Sequence, residues 1–247
     1  SVAILFGSEE IIRNGDVNYP FRQNSNFSYL TNFPESESIA VLDEKNFIIF
    51  YKEKNKLKEQ WDGEILGPEN TEKYGATRGM SISECRDILP ELVKDFANIY
   101  CFESSIKKLK KLLPNTESII KPLDFEVSKM RAIKSEEELK IIKEACRISS
   151  LAHIRAMKSV KPGMYEYQLE AEYLHEFMSH GARACAYPSI VGGGKNSCVL
   201  HYNDNKDVLN DGDLVLVDAG CELNHYASDI TRTCLLYTSP SPRDWDE

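Results

Sequence analysis

At 247 residues, with 42% hydrophobic and 28% charged residues, the chain is long enough to bury a large core in one domain or two and has the composition of a globular protein. A net charge of −9 argues against a nucleic-acid partner, and no apolar run approaches the roughly 20 residues of a membrane-spanning helix. The seven cysteines (85, 101, 146, 185, 198, 221, 234) include no Cys-x-x-Cys pair, which points to reduced, mostly buried thiols in a cytoplasmic protein rather than to a disulfide framework or a zinc–thiolate site.

Residues 1 to about 125 read as mixed α/β. Val2–Phe6 is an apolar strand pattern, Ser38–Leu42 and Phe47–Tyr51 bracket the turn Asp43-Glu44-Lys45-Asn46 as a hairpin, and Ile99–Phe102 is a further strand. Ser81–Phe96 has helical periodicity interrupted at Pro90, a residue suited to the first position of a second helix. Ser104–Leu113 is an amphipathic helix ended by Pro114-Asn115, and its run Lys107, Lys108, Lys110, Lys111 is a solvated face.

Ser135-Glu136-Glu137-Glu138 is a capping-box sequence with acidic residues suited to the helix dipole. Leu139, Ile142, Ala145/Cys146 and Ser149 then recur at helical spacing, so a helix running to Met157 buries one face. After the Lys161-Pro162-Gly163 turn, a second helix over Glu166–His180 turns Leu169, Tyr173, Leu174 and Phe177 inward and stops at Gly181. Ala186–Val191 and Cys198–Tyr202 read as two strands around Gly192-Gly193-Gly194, which lacks the Gly-Lys-Ser/Thr ending of a phosphate loop.

Leu214–Thr233, LVLVDAGCELNHYASDITRT, is the stretch with the most chemistry in it. Leu214–Val217 reads as a strand buried on both faces, opened by Asp211-Gly212 and ending at Asp218; Asp229 follows eleven residues later, beyond a turn. A turn centred on Leu223-Asn224 places Asp218 directly opposite Asp229, where like charges are destabilising unless they share a proton or hold a cation. By spacing alone a pair of solvated turn residues fits as well. His153, His175 and His180 read as structural, and His225 as an exposed turn residue.

With LHYND at 200–204, DGDLVLVDAG at 211–220, YASDITRT at 226–233, YPFRQNSNFSYLTNF at 19–33, EQWDG at 59–63 and SKMRAIKSEEE at 128–138 in view, the chain resembles the Xaa-Pro aminopeptidases of metallopeptidase family M24. The resemblance runs from Ser1 to Thr233. It implies an α/β (α+β) fold: an N-terminal creatinase/aminopeptidase-P-type α/β domain over 1–127, then the first half of a pita-bread catalytic domain over 128–233. It further implies that Asp218 and Asp229 are metal ligands in a site for two divalent ions, of manganese. By the same resemblance His201 is a catalytic residue beside them, and Arg131, Trp61 and Asp16 bind substrate, Trp61 reaching into a neighbouring subunit of a homo-oligomer. The substrate is a peptide with proline at the second position; prolidase, and a peptide-binding module without catalysis, stay open as alternatives.

Two aspartates do not complete a two-metal site, and after Thr233 the chain has no histidine and one glutamate, Glu247. CLLYTSPSPRD at 234–244 reads as one frame of a transposon-derived sequencing adapter, so residues 234–247 are expected to be a non-native tail and the chain as it stands to be inactive and poorly folded.

Overall fold

The structure, a computed structural model, describes residues 1–237. The chain divides into two compact units, Ser1–Ile133 and a second that begins at Lys134.

The first unit is a six-stranded sheet with helices on both faces. Its elements in chain order are β1 (Val2–Phe6), β2 (Ile12–Asn14), β3 (Val17–Asn18), α1 (Ser25–Thr31), β4 (Ile39–Leu42), β5 (Phe47–Tyr51) and α2 (Lys56–Asp62). They continue with β6 (Arg78–Ser81), α3 (Cys85–Val93), β7 (Asn98–Cys101), α4 (Ile106–Leu112), β8 (Ile119–Pro122) and α5 (Asp124–Ala132). The sheet order is β6-β5-β4-β1-β7-β8, with the β1–β4 and β4–β5 pairs antiparallel and the rest parallel. Strand alternation sorts the core into two layers. Val2, Ile4, Val41 and Phe50 pack with Leu89 and Val93 of α3 and Leu109 of α4, while Leu5, Ala40 and Ile49 pack with Phe27 of α1 and Val127 of α5.

Pro90 does not start a helix: it lies inside α3. Its ring removes one i→i−4 bond, to the exposed Arg86, but Cys85, Leu89 and Val93 stay buried on the sheet, and tertiary burial outweighs the local preference.

The second unit is built on α6 (Glu136–Ser159) and α7 (Glu166–Ser179), followed by β9 (Ala184–Cys185), β10 (Ile190–Gly193), β11 (Leu214–Ala219), β12 (Cys221–Leu223), β13 (Tyr226–Ala227) and β14 (Ile230–Leu235). The Ser135 box closes at both ends, Ser135 N donating to Glu138 Oε2 at 2.7 Å and Glu138 N to Ser135 Oγ at 3.3 Å. Ala145, Ile148, Ser149, Ala152, His153 and Ala156 form the buried stripe of α6, and Cys146 faces solvent. Gly181 ends α7 in the left-handed region, at φ +83°.

Two three-stranded sheets, β10-β11-β14 and β13-β12-β9, rest on this helix pair. Residues 198–202 are not a strand; β10 passes into a 3-10 turn, Gly194–Cys198, because Gly194 takes φ +52°. A boundary at 127/128 would cut α5, which belongs to the first unit. The fold runs past Thr233: Cys234 and Leu235 pair with Val215 and Leu214, and Leu236 is buried. The rest of the expected tail, 238–247, lies outside the described residues. The seven thiols are free, but only Cys85, Cys101 and Cys221 are buried, fewer than the sequence suggests.

Candidate metal centre

β11 is buried on one face rather than both. Val215, Val217 and Ala219 point into the core, while Leu214 is exposed and Leu216 and Asp218 are half-buried. That alternation turns Asp218 away from the core and toward the end of the sheet.

The hairpin beyond it has a different register from the expected one. Leu223 pairs with Tyr226, so the turn is Asn224-His225, with both residues at positive φ (47° and 68°) as a two-residue hairpin turn of the primed kind demands. Asp218 consequently faces Thr231, and Asp229 is two positions away on the diagonal. The ladder is interrupted between Ala227 and Ile230, where Ser228 is buried and Asp229 exposed. Gly220 permits this: a Cβ there would lie 1.8 Å from the Ser228 carbonyl oxygen.

The two carboxylates nonetheless converge. Tyr187 Oη lies 2.5 Å from Asp218 Oδ1 and 2.9 Å from Asp229 Oδ1, so one hydroxyl serves both. Burial first, then the hydrogen bonds to and charges of the two aspartates, push the Tyr187 phenol well above its ordinary range. Tyr187 was invisible to motif reading. The signal lay in the pairing of β10 with β11, which puts Ile190 opposite Asp218 and so brings the residues just before Ile190 to the aspartates.

Asp229 is fixed by its neighbours on both sides. The Ile230 carbonyl only accepts, so His153 Nε2 carries the proton and donates to it at 3.0 Å, leaving Nδ1 to accept from Tyr173 Oη at 2.8 Å. Burial holds the His153 imidazole below its usual range, in keeping with a neutral ring. On the other side, Ser228 Oγ meets Ser149 Oγ at 2.7 Å and accepts from Cys221 N at 3.0 Å.

His201 is exposed in the turn at 200–201, and no hydrogen bond joins it to either aspartate. Its segment is anchored by Glu166, a fully buried carboxylate at the start of α7 that accepts from Gly193 N (2.9 Å), Asn196 Nδ2 (3.0 Å), Tyr202 Oη (2.7 Å) and Asp207 N (3.0 Å). Four donors and a helix N-terminus satisfy this charge without a counterion.

Arg131, Trp61 and Asp16 belong to the first unit. Arg131, on α5, donates to Asn26 Oδ1 and lies over the Tyr29 ring at 5.6 Å. Trp61, on α2, is 88% exposed, and Asp16 sits exposed in the turn between β2 and β3. Within the second unit the structure brings Asp218 and Asp229 together.

Among the described residues no group of three or more His, Cys, Asp and Glu side chains comes together as a metal cage. The pair Asp218 and Asp229 fits a hard divalent cation as far as it goes: two carboxylates with oxygens aimed at one point. It supplies part of a donor set.

Residues 140–246 match the model of metallopeptidase family M24, and residues 1–100 match that of the aminopeptidase P N-terminal domain. The chain is 40% identical to an Xaa-Pro aminopeptidase of Escherichia coli K12 over 94% of its own length and 57% of that protein's. Among solved structures it is similar to proline aminopeptidase P II from Yersinia pestis, with 39% identity and a TM-score of 0.91, covering 98% of this chain and 60% of that one. It is likewise similar to a zinc-substituted E. coli aminopeptidase P in complex with product, with 36% identity and a TM-score of 0.91 over 98% and 59% of the two chains. The chain thus spans a little over half the length of these relatives.

Proposed function

We propose that this chain, whose residues 140–246 match the model of metallopeptidase family M24 and whose residues 1–100 match that of the aminopeptidase P N-terminal domain, is part of an Xaa-Pro aminopeptidase, which hydrolyses the bond between a free N-terminal residue and proline. The observation that carries this reading is the convergence of Asp218 and Asp229 on one point, held by Tyr187. The two aspartates would hold divalent ions, two of them and of manganese, which supply an activated water and polarise the carbonyl it attacks.

The chain's own residues do the rest. Tyr187 keeps the carboxylate oxygens turned toward each other, and the anchors on Ser228 and Ile230 keep Asp229 from swinging out. His201 donates to the oxyanion as charge develops there, an interaction that strengthens only in the transition state. Arg131, Trp61 and Asp16 serve the substrate. Arg131 is preorganised by Asn26 and Tyr29, and the exposed Trp61 suits contact with a second copy in a homo-oligomer. A prolyl nitrogen carries no proton, so recognition rests on ring shape and on the free amine. The cytoplasm is the proposed location, on the strength of seven unpaired thiols.

The test uses an enzyme of the relatives' full length bearing these residues, with Mn²⁺ and an Xaa-Pro-Xaa tripeptide. Release of the first residue is expected, falling at least about a hundredfold in Asp218→Asn and Asp229→Asn. Cleavage of an Xaa-Pro dipeptide alone would make the enzyme a prolidase, and no release of either kind would overturn the reading. Residues 1–247 alone, with two ligands in place, are expected to give no turnover with Mn²⁺.

A further inference from the structure

Cys185 and Cys221 are direct partners across the antiparallel strands β9 and β12. The Ala186 N–H donates to the Gly220 carbonyl at 2.9 Å, and the Cys221 N–H turns to the hydroxyls of Ser228 and Ser149 at 3.0 and 3.1 Å. The two cysteines therefore exchange no backbone hydrogen bonds. They form the closer type of antiparallel pair, with Cα atoms about 4.5 Å apart and side chains leaving the same face together. That spacing falls inside the roughly 4.4–6.8 Å that a disulfide spans.

Both side chains enter the same apolar cluster, Cys221 fully buried and Cys185 half-buried against it. Cys221 Sγ is 3.4 Å from the Ala145 carbonyl oxygen and 3.6 Å from Ser228 Oγ, and Cys185 Sγ is 4.0 Å from Ser189 Oγ. The partly open thiol is the one an oxidant reaches, and the buried one stands beside it.

We propose that Cys185 and Cys221 are a dithiol that closes to an intrachain disulfide in the presence of hydrogen peroxide. The Cys185 thiolate attacks one peroxide oxygen, the O–O bond breaks, and the leaving hydroxide takes a proton to become water, leaving a sulfenic acid. Cys221, giving up its proton, then attacks the Cys185 sulfur; the S–O bond breaks and a second water leaves. Two thiols are oxidised and one hydrogen peroxide is reduced to two waters. The bond would tie β9 to β12 and close a covalent loop around Tyr187, His201 and Asp218. Burial above all holds the Cys185 thiol higher than usual, so the closure is slow and calls for excess oxidant.

The test removes the three exposed thiols with Cys146→Ser, Cys198→Ser and Cys234→Ser, which leaves four of the seven. Hydrogen peroxide should lower the thiol count of the denatured protein from four to two, give a peptide pair linked through Cys185 and Cys221 by mass spectrometry, and raise Tm; dithiothreitol should reverse all three. Adding Cys185→Ser should leave the remaining three thiols reduced under the same treatment. Four free thiols after peroxide, a linkage between Cys85 and Cys101 instead, or Cys185 oxidised with no linked peptide would each overturn the proposal. Should the triple variant not fold, mapping the unaltered chain after alkylating its exposed thiols gives the same answers.

Discussion

Tyr187 places one proton between two carboxylates, and the cost of losing that proton is a property of the folded state alone. An ordinary phenol ionises near pH 10. Burial, with Asp218 and Asp229 beside it, raises the Tyr187 phenol above that, so the folded chain keeps the proton where the unfolded chain has released it. The contribution to stability is complete below about pH 10 and is lost as the pH climbs further. Tyr187→Phe should cost about 1 kcal/mol at neutral pH, a charge-assisted hydrogen bond discounted for partial exposure. It should also flatten the loss of Tm between about pH 9 and pH 11 relative to the parent, because the linkage goes with the hydroxyl. Equal slopes in the two proteins would show that Tyr187 is not the group responsible.

At the scale of elements, the hairpin shows what a sequence carries and what it hides. The strands β1, β5 and β11, the capped start of α6 and the inward face of α7 follow from apolar spacing and capping chemistry alone. The register of Asp218 against Asp229 does not. A two-residue slip leaves every side chain on its own face, so hydrophobic alternation fits both registers equally. The turn decides: both registers place Asn224 in the left-handed region, but the expected one would force Leu223 there beside it, whereas the observed one puts His225 there, a residue type found in that region more often than leucine. Gly220 is the second determinant, and it predicts a large effect. Gly220→Ala drives a methyl group into the Ser228 backbone and should destabilise the second unit by on the order of 3 kcal/mol, read as a drop in its denaturation midpoint. A change under about 0.5 kcal/mol would mean that the backbone gives way there. Tyr187 and Glu166 stayed hidden because each acts through partners more than twenty residues away, which no local pattern encodes.

At the scale of the molecule, each unit has its own core. The first closes both faces of its sheet with its own helices, α3 and α4 on one side and α1 and α5 on the other. Residues 1–133 expressed alone should therefore unfold cooperatively in urea; a broad, non-cooperative transition would show that this unit depends on the second. The second unit ends its β10-β11-β14 sheet on β14, an edge strand. The exposed residues at its middle are Thr231, Arg232 and Thr233, and large apolar exposure is confined to Leu235 and its partner Leu214. Polar and charged side chains of this kind blunt an edge against pairing with another chain.

The diagonal placement of Asp218 and Asp229 reaches beyond metal chemistry. The one misregistration that hydrophobic burial leaves unpunished is the two-residue slip, and that slip would set the two aspartates face to face across neighbouring strands. Like charges directly opposite each other are destabilising, so that alignment is disfavoured on electrostatic grounds. The two carboxylates thus bear on how the strand pair aligns, apart from anything the site can hold.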